Sequence, residues 1–240
     1  MATLCIDTAT EHGMIAVSLE GQPTSSARWS SKGRHGENLF AQIETAMAAA
    51  GVGRSDLSLV GAGIGPGAFT SLRVGLATAK GLALGLDLPL VGVSSLRVLA
   101  RSIGSGDDLV CVPSIPAYRG DVFAAAYLVS HEGIDVLREP FFGAPDAVFE
   151  SIREAADGRR VAVRGQAVSR HAEMLEKPFG SNHHRGSTSP DPATPDALVE
   201  EVRSVAKTDG YADLATLEPN YLRASDARLP NPPLRTQRSD

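Results

Sequence analysis

The sequence predicts an α/β protein built from two similar halves that face each other across a cleft. Two observations carry this prediction. Aliphatic runs and helical periodicities follow one another as strand, strand, strand, helix, strand, helix, strand, helix, and a related order of three strands and a helix begins again at Asp107. No residue-level repeat links the halves, so the duplication is one of architecture. The 240 residues, 42% of them hydrophobic, suffice for one large core or two small ones. Two α/β units of this kind pack as layered domains with a crevice between them.

In the first half, residues 1–103, Thr3 to Thr8 and Met14 to Leu19 are short aliphatic strands, and Glu11-His12-Gly13 between them has the composition of a hairpin turn. A third strand covers Thr24 to Trp29. Beyond the polar Ser31-Lys32-Gly33-Arg34 loop, Leu39, Ile43, Ala46, Met47 and Ala50 recur at helical spacing, and Gly51 is placed to end that helix. A strand at Leu57 to Ala62 follows. A Gly-Pro-Gly turn then leads into a second helix from Phe69 to about Gly85, a strand at Leu90 to Val93, and a helix capped by Ser94 or Ser95.

The second half, residues 104–223, offers strands at Leu109 to Pro113, Val122 to Val129 and Ile134 to Arg138. A helix carrying Val148, Ile152 and Ala155 runs to a stop at Gly158, before a strand at Val161 to Val163. The stretch Gly180 to Pro195 has the polar, glycine- and proline-rich composition of an exposed loop. Thr194 caps a helix with Pro195 in its first turn and Leu198, Val202 and Val205 on one face. This C-terminal segment is expected to pack back on the first half. Residues 224–240 have the composition of a disordered tail.

Bulk properties narrow the function classes. The opening Met1-Ala2-Thr3-Leu4-Cys5-Ile6-Asp7 does not read as a secretory signal, and Leu82 to Val93 contains Asp87 and Pro89 and is shorter than the roughly 20 residues of a membrane helix. No membrane contact is expected, and the cytoplasm is the expected location. Cys5 and Cys111 sit in apolar runs without a cysteine or histidine at ligand spacing, which predicts buried free thiols and no metal. A net charge of −5 gives no general basic footprint, so if RNA is a substrate something else should hold most of it.

The most informative segment is Gly63-Ile64-Gly65-Pro66-Gly67-Ala68-Phe69-Thr70. Its glycines open backbone angles closed to other residues and deliver the chain to a helix N-terminus, a geometry that suits an anion. It is not a Walker loop, because no Gly-Lys-Ser/Thr triplet follows and Lys80 lies deep in the helix. A tight strand-to-helix connection outweighs a ligand role here. Asp7, Gly65, Gly67 and Thr70 are the residues that an anion or nucleotide would face. The helix also holds Gly75, Gly81 and Gly85, each costing about 1 kcal/mol relative to alanine. Gly75, Ala79 and Ala83 are four apart and line one face, along which a second helix could approach closely; packing on the chain's own sheet is the alternative. Leu72, Gly75, Leu76, Ala79 and Ala83 form the expected partner or dimer face, while Arg73 and Lys80 read from the sequence as solvated positions on the helix.

These segments together resemble the bacterial TsaB family, also called glycoprotease-like proteins. The resemblance rests on Ile6-Asp7-Thr8-Ala9-Thr10, the glycine turn through Thr70, Leu72-Arg73-Val74-Gly75, Ala79-Lys80-Gly81-Leu82-Ala83 and Val91-Gly92-Val93-Ser94-Ser95-Leu96, with Pro219-Asn220-Tyr221-Leu222-Arg223 near the end. It departs from the family at Ala68 and Ser71, where serine and glycine are usual, and at Pro116-Ala117-Tyr118, where the family has Asp-Ala-Arg. The resemblance implies two actin/sugar-kinase-like (ribonuclease H-like) domains, each a mixed sheet with flanking helices, without nucleotide chemistry of their own. It further implies a homodimer through the first domain and binding to the catalytic subunit TsaD, with Arg73 and Lys80 joining the partner face. That subunit forms N6-threonylcarbamoyladenosine at adenosine 37 of certain tRNAs, with the ATPase TsaE assisting and with ATP and Mg²⁺ used by the complex.

Two other readings compete with the scaffold. An active ATPase or small-molecule kinase of the same superfold would use Asp7 as a metal-facing carboxylate. Thr8 and Thr10 stand where glycines would be needed, and Pro116 stands where a second strand-end acid would help. A protease would need a triad or a metal pair. His35 and the adjacent His183-His184 supply no i, i+4 pair, no Gly-x-Ser-x-Gly elbow is present, and Ser71, Ser94 and Ser95 read as helix-start residues.

Overall fold

The computed structural model describes residues 1–30, 35–105, 109–130, 133–171, 183–185 and 193–222. The strands of the first half are β1 (Ala2–Asp7), β2 (His12–Leu19), β3 (Ser25–Ser30), β4 (Leu57–Gly65) and β5 (Leu90–Ser94), and its helices are α1 (Leu39–Ala50), α2 (Phe69–Leu86) and α3 (Ser95–Ile103). The second half contributes β6 (Leu109–Pro116), β7 (Val122–Val129), β8 (Ile134–Gly143), α4 (Pro145–Ala156), β9 (Arg160–Arg164), α5 (Gln166–Arg170) and β10 (His183–Arg185). A final helix, α6, runs from Pro195 to Thr208.

The two sheets share one topology. The first has the order β3-β2-β1-β4-β5 and the second, read from its other edge, β8-β7-β6-β9-β10. In each, the first three strands are antiparallel and the last two join in parallel. This is the duplicated mixed α/β architecture that the sequence led us to expect. The parallel joins require helical crossovers, supplied by α1 and α2 in the first half and by α4 in the second.

Local chemistry fixes the element ends. Gly51 ends α1 in the left-handed conformation (φ 63°) and donates back to Ala48. α2 runs past Gly85 to end at Asp87, also left-handed (φ 52°), because the next amide, Leu88, closes on the Ala83 carbonyl while its side chain joins the core. Ser94 caps α3 by accepting from the Arg97 amide, and Thr194 caps α6 by accepting from that of Ala197.

Three corrections concern the second half. His183-His184-Arg185 lie in a strand paired in parallel with β9, where the composition had suggested loop; neighbouring residues of that stretch, and residues 224–240, lie outside the described residues. β8 extends to Gly143, five residues beyond the expected end, held by pairing with β7. Helix α5 has too few residues to show a period and was not anticipated.

Four apolar clusters order the layers. α1 and α2 cover one face of the first sheet around Leu4, Ile6, Ile15, Leu76 and Ala79. α6 covers the opposite face, its Leu198 and Val202 against Cys5, Ala16, Val91 and Val93. α4 and α5 cover one face of the second sheet. α3 lies between the halves: Val98 joins the α6 cluster, while Leu96, Leu99 and Ala100 pack on Cys111, Phe123, Ala125 and Tyr127 of β6 and β7. The fully buried Glu201 carboxylate of α6 accepts from both Arg97 and Arg101 of α3, tying the two helices together.

Candidate functional site

Asp7 ends β1, where it lines a small cavity with Thr10, Leu99 and Ile115, and one of its carboxylate oxygens is held by the local chain. Oδ1 accepts from the Ala9 amide at 2.8 Å, and a methyl at Gly63 would fall 2.5–2.7 Å from the carboxyl group. The Thr8 hydroxyl is buried and donates to the Ser71 carbonyl at 2.7 Å. The Ala9 carbonyl accepts from the Ala68 amide at 2.8 Å, and a Cβ on Gly67 would come within 2.2 Å of that same oxygen. The turn after β1 is therefore clamped onto the start of α2. A backbone carbonyl takes up the amide at the helix N-cap and fills the space that Gly67 leaves open, which does not suit phosphate oxygens.

The four residues expected to face an anion do not form one surface. Gly67 lines the cleft. Gly65 is buried with φ 100°, and a Cβ there would meet Leu72 at 2.8 Å, so its glycine serves close packing and a left-handed backbone. Thr70 is exposed on the first turn of α2, and Asp7 is engaged as described.

Between the halves lies a cleft of about 770 Å³. Ala9, Thr10, Gly67 and Phe69 form its first wall, and Ile115, Pro116, Tyr118 and Phe123 its second. Pro116, at the end of β6, occupies the strand-end position opposite the β1 turn and offers no carboxylate. Arg119 and Arg170 reach the rim. Sequence reasoning gave no part to Arg170, Gln166 or the segment Asn220-Tyr221-Leu222, all of which line the cleft. The Tyr-Leu pair had been noticed only as part of a family-like ending.

α2 requires a correction. Of the seven residues expected on its partner face, Leu72, Gly75, Leu76, Ala79 and Ala83 are buried against the chain's own sheet, Ala79 at 0% and Ala83 at 1% exposure. Gly75 has a specific reason to be glycine: a Cβ would sit 2.2 Å from Thr8 Oγ1. The exposed side of the helix carries Arg73, Ala77, Gly81 and Gly85, again four apart, with Leu84 74% exposed beside them and Lys80 half-buried. Among the described residues, and apart from neighbours in the same helix, nothing lies within 4 Å of a Cβ built on Gly81 or Gly85. The outward small-residue stripe is thus rotated from the expected one.

Arg73 is not a loose surface charge. Its guanidinium lies 3.8 Å from the centroid of the Phe69 ring, Nε donates to the Tyr221 hydroxyl at 2.9 Å, and the two rings are 4.8 Å apart. The segment that ends at Tyr221 is held along the first half, the Ala212 amide donating to Leu90 and that of Asn220 to Ile64.

The remaining candidate chemistry is structural. Burial pushes the Cys5 thiol up to about 12 and that of Cys111 to about 11, each partly offset by an arginine. Ser71 and Ser95 are buried, and Ser94 is a cap. Among the described residues no three His, Cys, Asp or Glu side chains gather as a metal site, and no helix is long and apolar enough to cross a membrane.

Comparison with known proteins agrees with this architecture. The family model described as TsaD, tRNA N6-adenosine threonylcarbamoyltransferase, matches residues 30–177. The tRNA threonylcarbamoyladenosine biosynthesis protein TsaB of Escherichia coli is 34% identical over 136 residues, 56% of this chain and 58% of that protein, so the match spans little more than half of that relative. The protein of the same name from Bacillus subtilis is 28% identical over 230 residues, covering 95% of this chain and 96% of the relative. Among solved structures, YeaZ from Pseudomonas aeruginosa superposes with a TM-score of 0.74 at 22% identity over 92% of this chain and 99% of that one, a likeness of fold.

Proposed function

The chain belongs to the TsaB family, within the wider group matched by the TsaD model, and from that premise we propose that it is a non-catalytic subunit in the formation of N6-threonylcarbamoyladenosine on tRNA. Its contribution is to bind and activate a TsaD-like catalytic subunit. A TsaE-like ATPase assists, ATP and Mg²⁺ serve the complex, and tRNA is held mainly by the other subunits. The cytoplasm is the proposed setting.

The observation that carries the non-catalytic reading is the clamped turn: the Ala9 carbonyl on the Ala68 amide and against Gly67, with Pro116 across the cleft. A phosphate chain needs donors and a metal-holding carboxylate there. This chain presents a backbone acceptor and a pyrrolidine ring there, which supply phosphate oxygens with neither a donor nor a metal-holding group.

The partner surface is proposed on the outward side of α2, along Arg73, Ala77, Gly81 and Gly85, with exposed Leu84 adding apolar area. Small side chains let a second helix approach closely, and the glycines, which no packing among the described residues explains, gain a reason. The same side would carry the homodimer. Co-purification of the full chain with the TsaD-like protein of its own organism tests the reading. A defined heteromer is expected, and separate elution at micromolar concentrations would refute it.

A further inference from the structure

Arg73 lies on the outward side of α2, one turn before Ala77, and is exposed although it is held on two sides. Phe69 stacks against the guanidinium at 3.8 Å, and the Tyr221 ring lies 5.8 Å away, its hydroxyl accepting from Nε. Tyr221 is fixed in turn, because its neighbour Asn220 donates to Ile64 at 2.7 Å and the ring packs on Phe69. An arginine normally loses rotamer freedom when it is captured by a partner; here much of that loss already occurs within the free chain. Among the described residues, Nε is the guanidinium nitrogen that makes a hydrogen bond. The two Nη groups remain as a planar pair of donors, the geometry that matches a carboxylate in bidentate fashion.

We propose that Arg73, preset by Phe69 and Tyr221, is an anchoring contact for an acidic side chain of the TsaD-like partner. The inference rests on the partner reading given above and names the contact that dominates it. A helix lying along Ala77, Gly81 and Gly85 passes directly over this end of α2. An immobilised arginine framed by aromatic rings has the composition of an interface hot spot. A protein carboxylate is favoured over an RNA phosphate because the chain carries a net charge of −5. A purely internal role, clasping the 213–222 segment onto α2, is the competing explanation and makes different predictions.

The test is calorimetric titration of the full chain with the TsaD-like subunit at two salt concentrations, for wild type, Arg73→Lys and Tyr221→Phe, with a melting curve for each. Arg73→Lys retains the charge but not the planar fork, and is expected to bind about tenfold more weakly with an unchanged melting temperature. Tyr221→Phe keeps the ring but frees Nε, and is expected to bind about threefold more weakly through the lost preorganisation. Normal affinity of Arg73→Lys would overturn the inference while leaving the partner reading intact. So would a lowered melting temperature with wild-type affinity in the folded fraction, which is the signature of the clasp alone. A loss confined to tRNA retention by the isolated chain would also overturn it. If the wild-type chain binds no TsaD-like subunit, the partner reading itself fails.

Discussion

Gly75→Ala and Gly81→Ala place the same methyl group on opposite sides of α2 and should change stability in opposite directions. Each gains about 1 kcal/mol of helix propensity. At Gly81 the new Cβ meets no described residue outside its own helix within 4 Å, so the full gain should appear in the isolated chain. At Gly75 the Cβ would lie 2.2 Å from Thr8 Oγ1 and 3.3 Å from two further Thr8 carbons. Thr8 is fully buried, and its hydroxyl is committed to Ser71. Relief requires overpacking strain of about 1–3 kcal/mol together with loss of a hydrogen bond of about 1 kcal/mol. The net expectation is a destabilisation of about 1–3 kcal/mol after the propensity gain. With roughly 2–4 °C per kcal/mol for a chain of this size, Gly81→Ala should melt about 2–4 °C above wild type and Gly75→Ala several degrees below it. Thermal melts followed by circular dichroism, checked by urea midpoints, measure both. A Gly75→Ala chain as stable as wild type would refute the inward packing of this face, and a destabilised Gly81→Ala chain would refute its outward exposure.

Further expectations follow from the same geometry. Ala79→Leu, at a fully buried position, should lower the urea midpoint by an overpacking cost of about 1–3 kcal/mol, whereas Ala77→Leu should leave it unchanged and weaken partner binding. Glu201→Gln removes the charge facing Arg97 and Arg101 and should cost about 3–5 kcal/mol, measurable as a shifted urea midpoint; a shift below about 1 kcal/mol would mean that the triad does not hold α3 to α6. The buried thiols give a pH dependence of definite sign. Their folded values of about 12 and 11 lie above the ordinary 9.0, so their contribution is complete below pH 9 and is lost as pH rises through the folded values. The fall is about 1.4 kcal/mol per unit per thiol while only the unfolded state ionises. Cys5→Ser and Cys111→Ser should each flatten that alkaline decline.

The repeated architecture was legible because it is written in apolar periodicity. β7 and the helices with long apolar stripes stand close to where the pattern puts them. What the pattern missed lacks that signal. β10 is a short, polar edge strand whose only qualification is a free strand, β9, to pair with. α5 has five residues, less than two turns. In α2 the sequence contains two small-residue stripes four apart, Gly75-Ala79-Ala83 and Ala77-Gly81-Gly85, and spacing alone does not say which meets the sheet. The leucines accompanying the first, Leu72 and Leu76, mark it as inward once their burial is seen. Asp7 was legible as a strand-end acid, but its capture by the Ala9 amide depends on the fold of a turn that periodicity does not describe. Likewise, Tyr221 belongs beside Arg73 only because residues 212–220 run back along β5 and β4, a long-range arrangement without a local signature.

The proposed role is to serve threonylcarbamoyladenosine formation through contact and not through chemistry in the chain's own cleft. The direct measurement is the initial rate of tRNA modification in a reaction reconstituted with the TsaD-like and TsaE-like proteins, comparing Asp7→Asn with Gly81→Trp. Asparagine still offers Oδ1 to the Ala9 amide but removes the carboxylate at the end of β1 that metal binding would require. Tryptophan at 81 leaves the core untouched and blocks close approach to the outward stripe. The account predicts a near wild-type rate for Asp7→Asn and a rate reduced at least about tenfold for Gly81→Trp, in line with an interface cost of one or more kcal/mol. A rate abolished by Asp7→Asn and unaffected by Gly81→Trp would contradict it and favour an active nucleotide-using enzyme.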